Sequence, residues 1–379
     1  MRIGILTQPL YCNYGGIIQC FALQTFLQRM GHDTIVLQRE FHRNYTVKGA
    51  CMYYVKYIMK LLMRKESSWH YYISPKRRAY IAQNTNKFIE DYINPRSPHC
   101  YSTEELKQET LSRHLDAIIV GSDQVWRPDY SPCLPNYFLD FLEKDNRIKR
   151  ISYAASFGND NWTFTDNQTS RCRRLLQRFN SVSVRESTAI KLCKEHFHVN
   201  ATQVLDPTLL LEREDYESLI PQEQEKRGTL FCYFLDRNQK KKDIIKQIVE
   251  RYQLKSFESM PLLPDTTYNL YEDIDKCVYP PIEEWLSAFM EADIVLTDSF
   301  HGTVFSIIFN KPFWVIGNKS RGMARFESLL SLFNLKNRLI TDSELMNNDF
   351  MEPIEWNTVN EKRIALKNKS MQFIFNALN

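Results

Sequence analysis

The sequence predicts an α/β protein built from two parallel-sheet domains that face each other across a cleft. Three observations lead there. Short apolar runs alternate with segments of helical period, the pattern of parallel strands covered by helices. The alternation occurs twice, on either side of a polar, charged stretch from Glu212 to Arg227. The length of 379 residues also exceeds one compact core, at roughly 100–200 residues per domain.

The elements follow in order. Arg2 to Thr7 reads as a buried strand, Asn13-Tyr14-Gly15-Gly16 as a turn, and Ile17 to Met30 as a helix stopped by Gly31. Thr34 to Leu37 reads as a second strand and completes a βαβ opening. Its turn is not GxGxxG, so the dinucleotide fingerprint fails. Residues 41–112 form an insertion, rich in Tyr, Lys and Arg and mostly helical by pattern. Strands resume at 116–120, 150–154, 181–184 and 202–205, with helices at 166–179 and 186–196. Asp206-Pro207-Thr208 ends this series, which gives an N-terminal domain over 1–208.

The second series spans 209–345. Strands are expected at 229–235, 254–258, 294–297 and 313–316, and helices at 238–251, 282–291, 303–309 and 325–333. The remaining residues, 346–379, are helical from Val359 to Ala377 and should pack back on the body. Ligands of open parallel sheets bind beyond the carboxyl ends of the strands, so the cleft is where chemistry belongs.

Composition narrows the function. A net charge of +4 is too mild for a dedicated nucleic-acid binder and suits anionic small ligands or an anionic membrane surface. The nine cysteines are widely spaced and form no CxxC pair, so they read as reduced thiols in a reducing cytoplasm. No metal-ligand cluster is visible, and no cofactor is called for. The first residues do not form a secretory signal, and no apolar run is long enough to span a bilayer.

Five places carry candidate chemistry. The foremost is Asp298-Ser299-Phe300-His301-Gly302-Thr303, a polar turn between an apolar strand and an apolar helix. The helix N-terminus there favours a phosphate or carboxylate, and Gly302 would let an anion approach the backbone. His301 is a candidate proton donor, and Asp298 either orients it or caps the helix, as Ser299 also would. In Ser183-Val184-Arg185-Glu186, Arg185 either holds an anion or pairs with a nearby acid. Asn13, Gly15 and Gly16 form either a backbone cradle or a plain tight turn. In Gly121-Ser122-Asp123-Gln124-Val125-Trp126, Asp123 is a candidate base or hydroxyl anchor, and Trp126 either stacks on a sugar or packs in the core. Finally, Lys56, Lys60 and Arg64 recur every four residues between Tyr53 and Lys65, as in an interfacial membrane helix or an ordinary helix with one wet face.

Taken in order, these motifs resemble the polysaccharide pyruvyltransferase family. They are Asn13-Tyr14-Gly15-Gly16 with Gln19 to Gln24; Val120 to Trp126; Ser152 to Gly158; Ser183-Val184-Arg185-Glu186; Val204-Leu205-Asp206-Pro207-Thr208; Asp298 to Gly302; and Arg325 to Leu330. The resemblance covers about Ile3 to Leu339. It implies a glycosyltransferase-B-like pair of Rossmann-like domains, with acceptor on the N-terminal side and donor on the C-terminal side. It implies transfer of pyruvate from phosphoenolpyruvate, a co-substrate, onto two sugar hydroxyls as a cyclic ketal with release of phosphate. The acceptor would be a glycan or lipid-linked oligosaccharide, met in the cytoplasm or at the inner face of the plasma membrane through Tyr53–Lys65.

Within that resemblance His301, Asp123 and Asp298 are the catalytic candidates. Arg185, Ser299, Gly302, Thr303 and Arg325 would bind the donor. Asn13, Gly15, Gly16, Gln19, Ser122, Gln124 and Trp126 would bind the acceptor. Relatives often carry a second Arg where Ser299 stands, so either the donor pocket is less positive here or a cation such as Lys319, Arg321 or Arg325 compensates. A nucleotide-sugar glycosyltransferase on the same scaffold and a non-catalytic sugar-binding protein are the alternatives.

Overall fold

The computed structural model describes residues 1–41, 73–142, 147–221, 226–264, 272–317, 323–340 and 349–379, with Cys51, Tyr54, Val55, Ile58 and Met59 between the first two stretches. The stripe of Lys56, Lys60 and Arg64 lies outside the described residues, as do Lys319 and Arg321.

The chain opens with strand β1 (Arg2–Leu6), helix α1 (Tyr14–Arg29) and β2 (Asp33–Val36). Helices α2 (Pro75–Ile81), α3 (Gln83–Tyr92) and α4 (Thr103–Ser112) follow. Then come β3 (Ala117–Val120), β4 (Lys149–Ala155), α5 (Asp166–Leu176), β5 (Ser181–Val184), α6 (Ser187–Leu192) and β6 (Thr202–Gln203). These strands form one parallel sheet in the order β2-β1-β3-β4-β5-β6.

A short helix α7 (Arg213–Glu217) leads to β7 (Leu230–Tyr233), α8 (Gln239–Tyr252), β8 (Ser256–Phe257), α9 (Ile282–Glu291) and β9 (Ile294–Thr297). Helix α10 (Phe300–Ile308), β10 (Phe313–Ile316), α11 (Ala324–Phe333), β11 (Leu339–Ile340) and α12 (Trp356–Leu378) complete the chain. The second sheet is also parallel, in the order β11-β10-β9-β7-β8.

The strands behave as doubly covered parallel strands do: β3, β7, β9 and β10 are buried along their whole length. Side-chain caps set several helix starts. Ser102, Asn238 and Ser299 each accept a backbone N–H three residues on, and Thr165 and Gln168 form a capping box.

Two helices begin earlier than their apolar periodicity suggests. Ile17 N donates to Asn13 O at 2.9 Å, so Asn13 is the N-cap and Gly15 and Gly16 lie in the first turn of α1, not in a turn before it. Likewise α10 starts at Phe300, so His301, Gly302 and Thr303 are its first turn. Apolar period marks only the packed length of a helix, whereas hydrogen bonding begins at the cap. The two-residue strand β11 carries too few residues for alternation to show it.

The halves are joined by specific contacts. Tyr14 Oη donates to Pro280 O at 2.7 Å, and its ring lies 5.5 Å from that of Trp285. Ser328 Oγ on α11 accepts from Ser187 N at 2.9 Å and Gln203 Nε2 at 2.7 Å. Helix α12 returns to the first sheet, where Ser370 Oγ accepts from Leu205 N at 2.9 Å and Lys149 Nζ donates to Leu378 O at 2.7 Å. Among the described residues no helix is long and apolar enough to cross a membrane.

Candidate functional site

The site forms where the carboxyl ends of β5, β6 and β9 meet the start of α1. Arg185 follows β5 and Asp206 follows β6 at the edge of the first sheet. His301 enters from α10 of the second half. An added Cβ at Gly15 would lie 1.9 Å from His301 Nδ1. Only a glycine at that helix position lets the imidazole of one half rest on the backbone of the other.

Arg185 is surrounded by acids. Its Nη1 donates to Asp206 Oδ2 at 2.9 Å. Its Nη2 stands 3.6 Å from Asp123 Oδ1 and its Nε 4.0 Å from Glu186 Oε2. His301 Nε2 stands 3.7 Å from Asp206 Oδ2. These last three separations exceed hydrogen-bonding distance, and Arg185 Nε, Arg185 Nη2 and His301 Nε2 are buried without a hydrogen-bond partner. The Phe300 ring lies 4.3 Å from the Arg185 guanidinium carbon and meets His301 edge-on at 5.3 Å.

Asp123 sits beside them with a left-handed backbone (φ 62°), and Asn13 Nδ2 donates to its Oδ2 at 3.4 Å. Arg325 projects from the first turn of α11 into the field of Arg185, Glu186, Asp123 and Arg127.

Burial and charge shift these groups strongly. Burial pushes the Asp206 carboxyl up, but nearby His301 and Arg185, the latter by charge and a hydrogen bond, outweigh it and hold it well below the usual carboxylate range. Burial raises Glu186, and Arg185 and Ser156 offset only part of that. Burial lowers Arg185, yet Asp206, Asp123 and Glu186 together hold it above its ordinary value. Arg325, half-buried, is pushed down to about 10 by desolvation and by the charge of Arg185.

The structure therefore brings Asn13, Gly15, Asp123, Arg185, His301 and Arg325 together. Several other candidates have side-chain atoms engaged by the protein itself, and fully buried Trp126 is a correction. Trp126 does not stack on a sugar: it is fully buried, donates to Tyr137 O at 3.1 Å and stacks on Phe138. Gln19 lies beneath the site, donating to Thr7 Oγ1 and Gly16 O and accepting from Ser122 N. Ser122 Oγ is buried 3.1 Å from both Ala154 O and Asp206 Oδ2. Gln124 Oε1 accepts from Arg127 Nη1 at 2.9 Å. Gly16 packs against the Asn13 side chain.

The turn after β9 is likewise consumed by its own half. Asp298 accepts from Leu235 N at 2.7 Å, Asp236 N at 3.1 Å and Lys241 Nζ at 2.5 Å, which makes it a clip between β9 and the start of α8. Ser299 Oγ caps α10 by accepting from Gly302 N at 3.3 Å. Thr303 Oγ1 donates to Ser299 O at 3.1 Å. A Cβ at Gly302 would come 2.3 Å from Thr297 Oγ1, so a glycine is needed here for the approach of α10 to the sheet.

Asp206, Glu186 and Phe300 escaped selection from sequence alone. Asp206 had a readable signal: an Asp two residues before a Thr accepts that backbone N–H, and here Thr208 N donates at 3.1 Å. That turn points the other carboxylate oxygen toward Arg185 and Ser122. Among the described residues no group of three or more His, Cys, Asp or Glu side chains is placed to hold a metal.

A family model described as polysaccharide pyruvyl transferase matches residues 13–320. General stress protein 30 of Bacillus subtilis (strain 168) is 27% identical over 150 residues, 38% of this chain and 40% of that protein. The match thus spans well under half of that relative's length. Among solved structures, UGT89C1 of Arabidopsis thaliana complexed with UDP-L-rhamnose superposes with a TM-score of 0.52 at 10% identity, covering 99% of this chain and 97% of that one. A putative UDP-N-acetylglucosamine 2-epimerase of Listeria monocytogenes gives 0.52 at 9% identity, covering 98% of each chain. At such identities the likeness shows the shared two-domain fold and nothing of substrate.

Proposed function

The chain belongs to the polysaccharide pyruvyl transferase family, and we propose that it moves a pyruvyl group from phosphoenolpyruvate onto two hydroxyls of a glycan acceptor, free or lipid-linked, in a cytoplasmic reaction. One observation supports this reading above others. Buried nitrogen atoms from both halves, Arg185 Nε and Nη2 and His301 Nε2, lie around Asp206 with no hydrogen-bond partner. Unpaired buried donors are costly, and an anionic substrate entering between the halves would satisfy them.

In the proposed reaction His301 gives a proton to the methylene carbon of the enol ester. That carbon becomes a methyl group, and the adjacent carbon gains cationic character. A first sugar hydroxyl adds there and yields its proton to Asp123. The carbon–oxygen bond to phosphate then breaks, and the second hydroxyl adds and yields its proton to the now-neutral His301, closing the ketal and restoring the acid. Arg185 and Arg325 hold the donor's anionic groups throughout. We give Asp298 no part in this, because both of its oxygens are engaged by the loop after β7 and by α8.

The test is phosphate release from phosphoenolpyruvate across a panel of free and lipid-linked oligosaccharides. Acceptor-dependent phosphate, reduced at least about 10²-fold in His301→Gln, is the expected result. Release of a nucleoside diphosphate from a nucleotide sugar, with no turnover of phosphoenolpyruvate, would overturn the proposal in favour of glycosyl transfer.

A further inference from the structure

We infer that Asp206 is a positioning residue that joins the anion-binding cation of one half to the candidate acid of the other, so that Arg185 and His301 are oriented as one unit. This rests on the pyruvyl-transfer reading of the site.

The carboxylate is immobilised on one side and shared on the other. Oδ1 accepts from Thr208 N at 3.1 Å and from Thr208 Oγ1 at 2.8 Å, which fixes the plane of the group. Oδ2 then faces Arg185 Nη1 at 2.9 Å, Ser122 Oγ at 3.1 Å and His301 Nε2 at 3.7 Å. The backbone before it is equally held. Leu205 N donates to Ser370 Oγ at 2.9 Å, and Leu205 O accepts from Tyr153 Oη at 3.0 Å. Asp206 itself is buried, so little about it can relax. The Phe300 ring lies against both Arg185 and His301.

The gap to His301 Nε2 is the informative distance. At 3.7 Å it is too long for a hydrogen bond. Catalytic hydrogen bonds are often long in the free enzyme and tighten when substrate binds. A bound anion drawing Arg185 and His301 together would leave Asp206 Oδ2 as their common acceptor. It would fix which imidazole nitrogen carries the proton. An amide in its place has only one oxygen. Kept on Thr208, it turns an NH2 group toward Arg185; kept on Arg185, it turns that group toward the Thr208 N–H.

Calorimetric titration of the full chain with phosphoenolpyruvate tests the inference in the wild type, Asp206→Asn, Arg185→Gln and the double variant. Asp206→Asn is expected to weaken binding at least about tenfold. In the Arg185→Gln background the same change should cost less than about threefold, because the cation it orients is gone. Equal losses in both backgrounds would overturn the inference. Should Asp206→Asn fail to fold, Thr208→Val keeps the charge but frees Oδ1, and the same pattern is expected with a smaller loss. A second readout does not depend on turnover. In a 15N-histidine-labelled chain, with His301 assigned from His301→Gln, its Nε2 proton signal should change in either variant. An unchanged His301 signal would overturn the coupling. A wild type that binds no phosphoenolpyruvate would sink the pyruvyl-transfer reading, and the histidine spectra would still decide the coupling.

Discussion

The two polar segments that border the cleft use their side chains in opposite ways. After β9, Asp298, Ser299, Gly302 and Thr303 are all spent within their own half, on a clip, a cap, a close approach and a back-bonded hydroxyl. After β5 and β6, Arg185 and Asp206 bond between neighbouring strand ends and leave donor atoms unsatisfied. A strand–turn–helix segment must first satisfy its own backbone and fit its own sheet. Only what remains can face a ligand. In the β9 segment that remainder is His301, and its neighbours are the means by which it is held.

Adjacent residues should therefore fail in different ways, and this gives the largest expected contrast. His301→Gln is expected to lower acceptor-dependent phosphate release by about 10²–10⁴-fold, the range for loss of a general acid, with thermal stability preserved. Asp298→Asn, three residues away, breaks a buried ion pair with Lys241. It should destabilise the chain by about 3–5 kcal/mol in denaturant unfolding, while the fraction that remains folded keeps its turnover. If Asp298→Asn instead left stability intact and abolished turnover, the division between scaffold and leftover group would be wrong.

How much of this was legible in the sequence follows the same division. The alternation of apolar runs placed both sheets, because buried parallel strands announce themselves locally. Arg185 and His301 were legible because each follows a strand at its carboxyl end. What Gly302 and Gln19 do was not. Gly302 looks identical in sequence whether it admits an anion or Thr297, and Gln19 identical whether it faces a sugar or Ser122. Their partners are fixed by packing between segments distant in the chain, and spacing carries no trace of that. Trp126 shows the same limit: Phe138 and Phe157 enclose it from two other segments. Asp206 was hidden for another reason, since its Pro-Thr context reads as the end of a domain rather than as a charge aimed into a cleft.

Gly15 is where the two halves meet most closely, and it sharpens the comparison from the first half's side. Gly15→Ala places a methyl group 1.9 Å from His301 Nδ1. The ring has to leave its seat on α1. Displacement of a reacting group by about 1 Å can cost roughly 10²-fold, and a loss of that order in turnover is expected. The overlap costs about 1–3 kcal/mol against a gain of up to about 1 kcal/mol in helix propensity, so only a small fall in melting temperature is expected. A fall in melting temperature matching the loss of turnover would show that Gly15 serves packing alone.

The smallest expected effect concerns the cation that α11 contributes. Arg325 is pushed down to about 10 by burial and by the positive charge of Arg185. The sign follows directly: below that value Arg325 is protonated and attracts an anion, and as pH rises through about 10 the charge and its share of the affinity are lost. Phosphoenolpyruvate binding, followed by calorimetry from pH 7 to 11, should therefore weaken by less than about tenfold across that step. Other groups titrate in the same range, so the discriminating sample is Arg325→Gln. It should bind more weakly at neutral pH and lose the alkaline step. Arg185 offers the contrast within the same cleft. Its three carboxylate neighbours hold it above its ordinary value, and no loss of its charge is expected over this range. An alkaline step of equal size in Arg325→Gln would mean that α11 supplies no charge to the anion, and that the first half binds it alone.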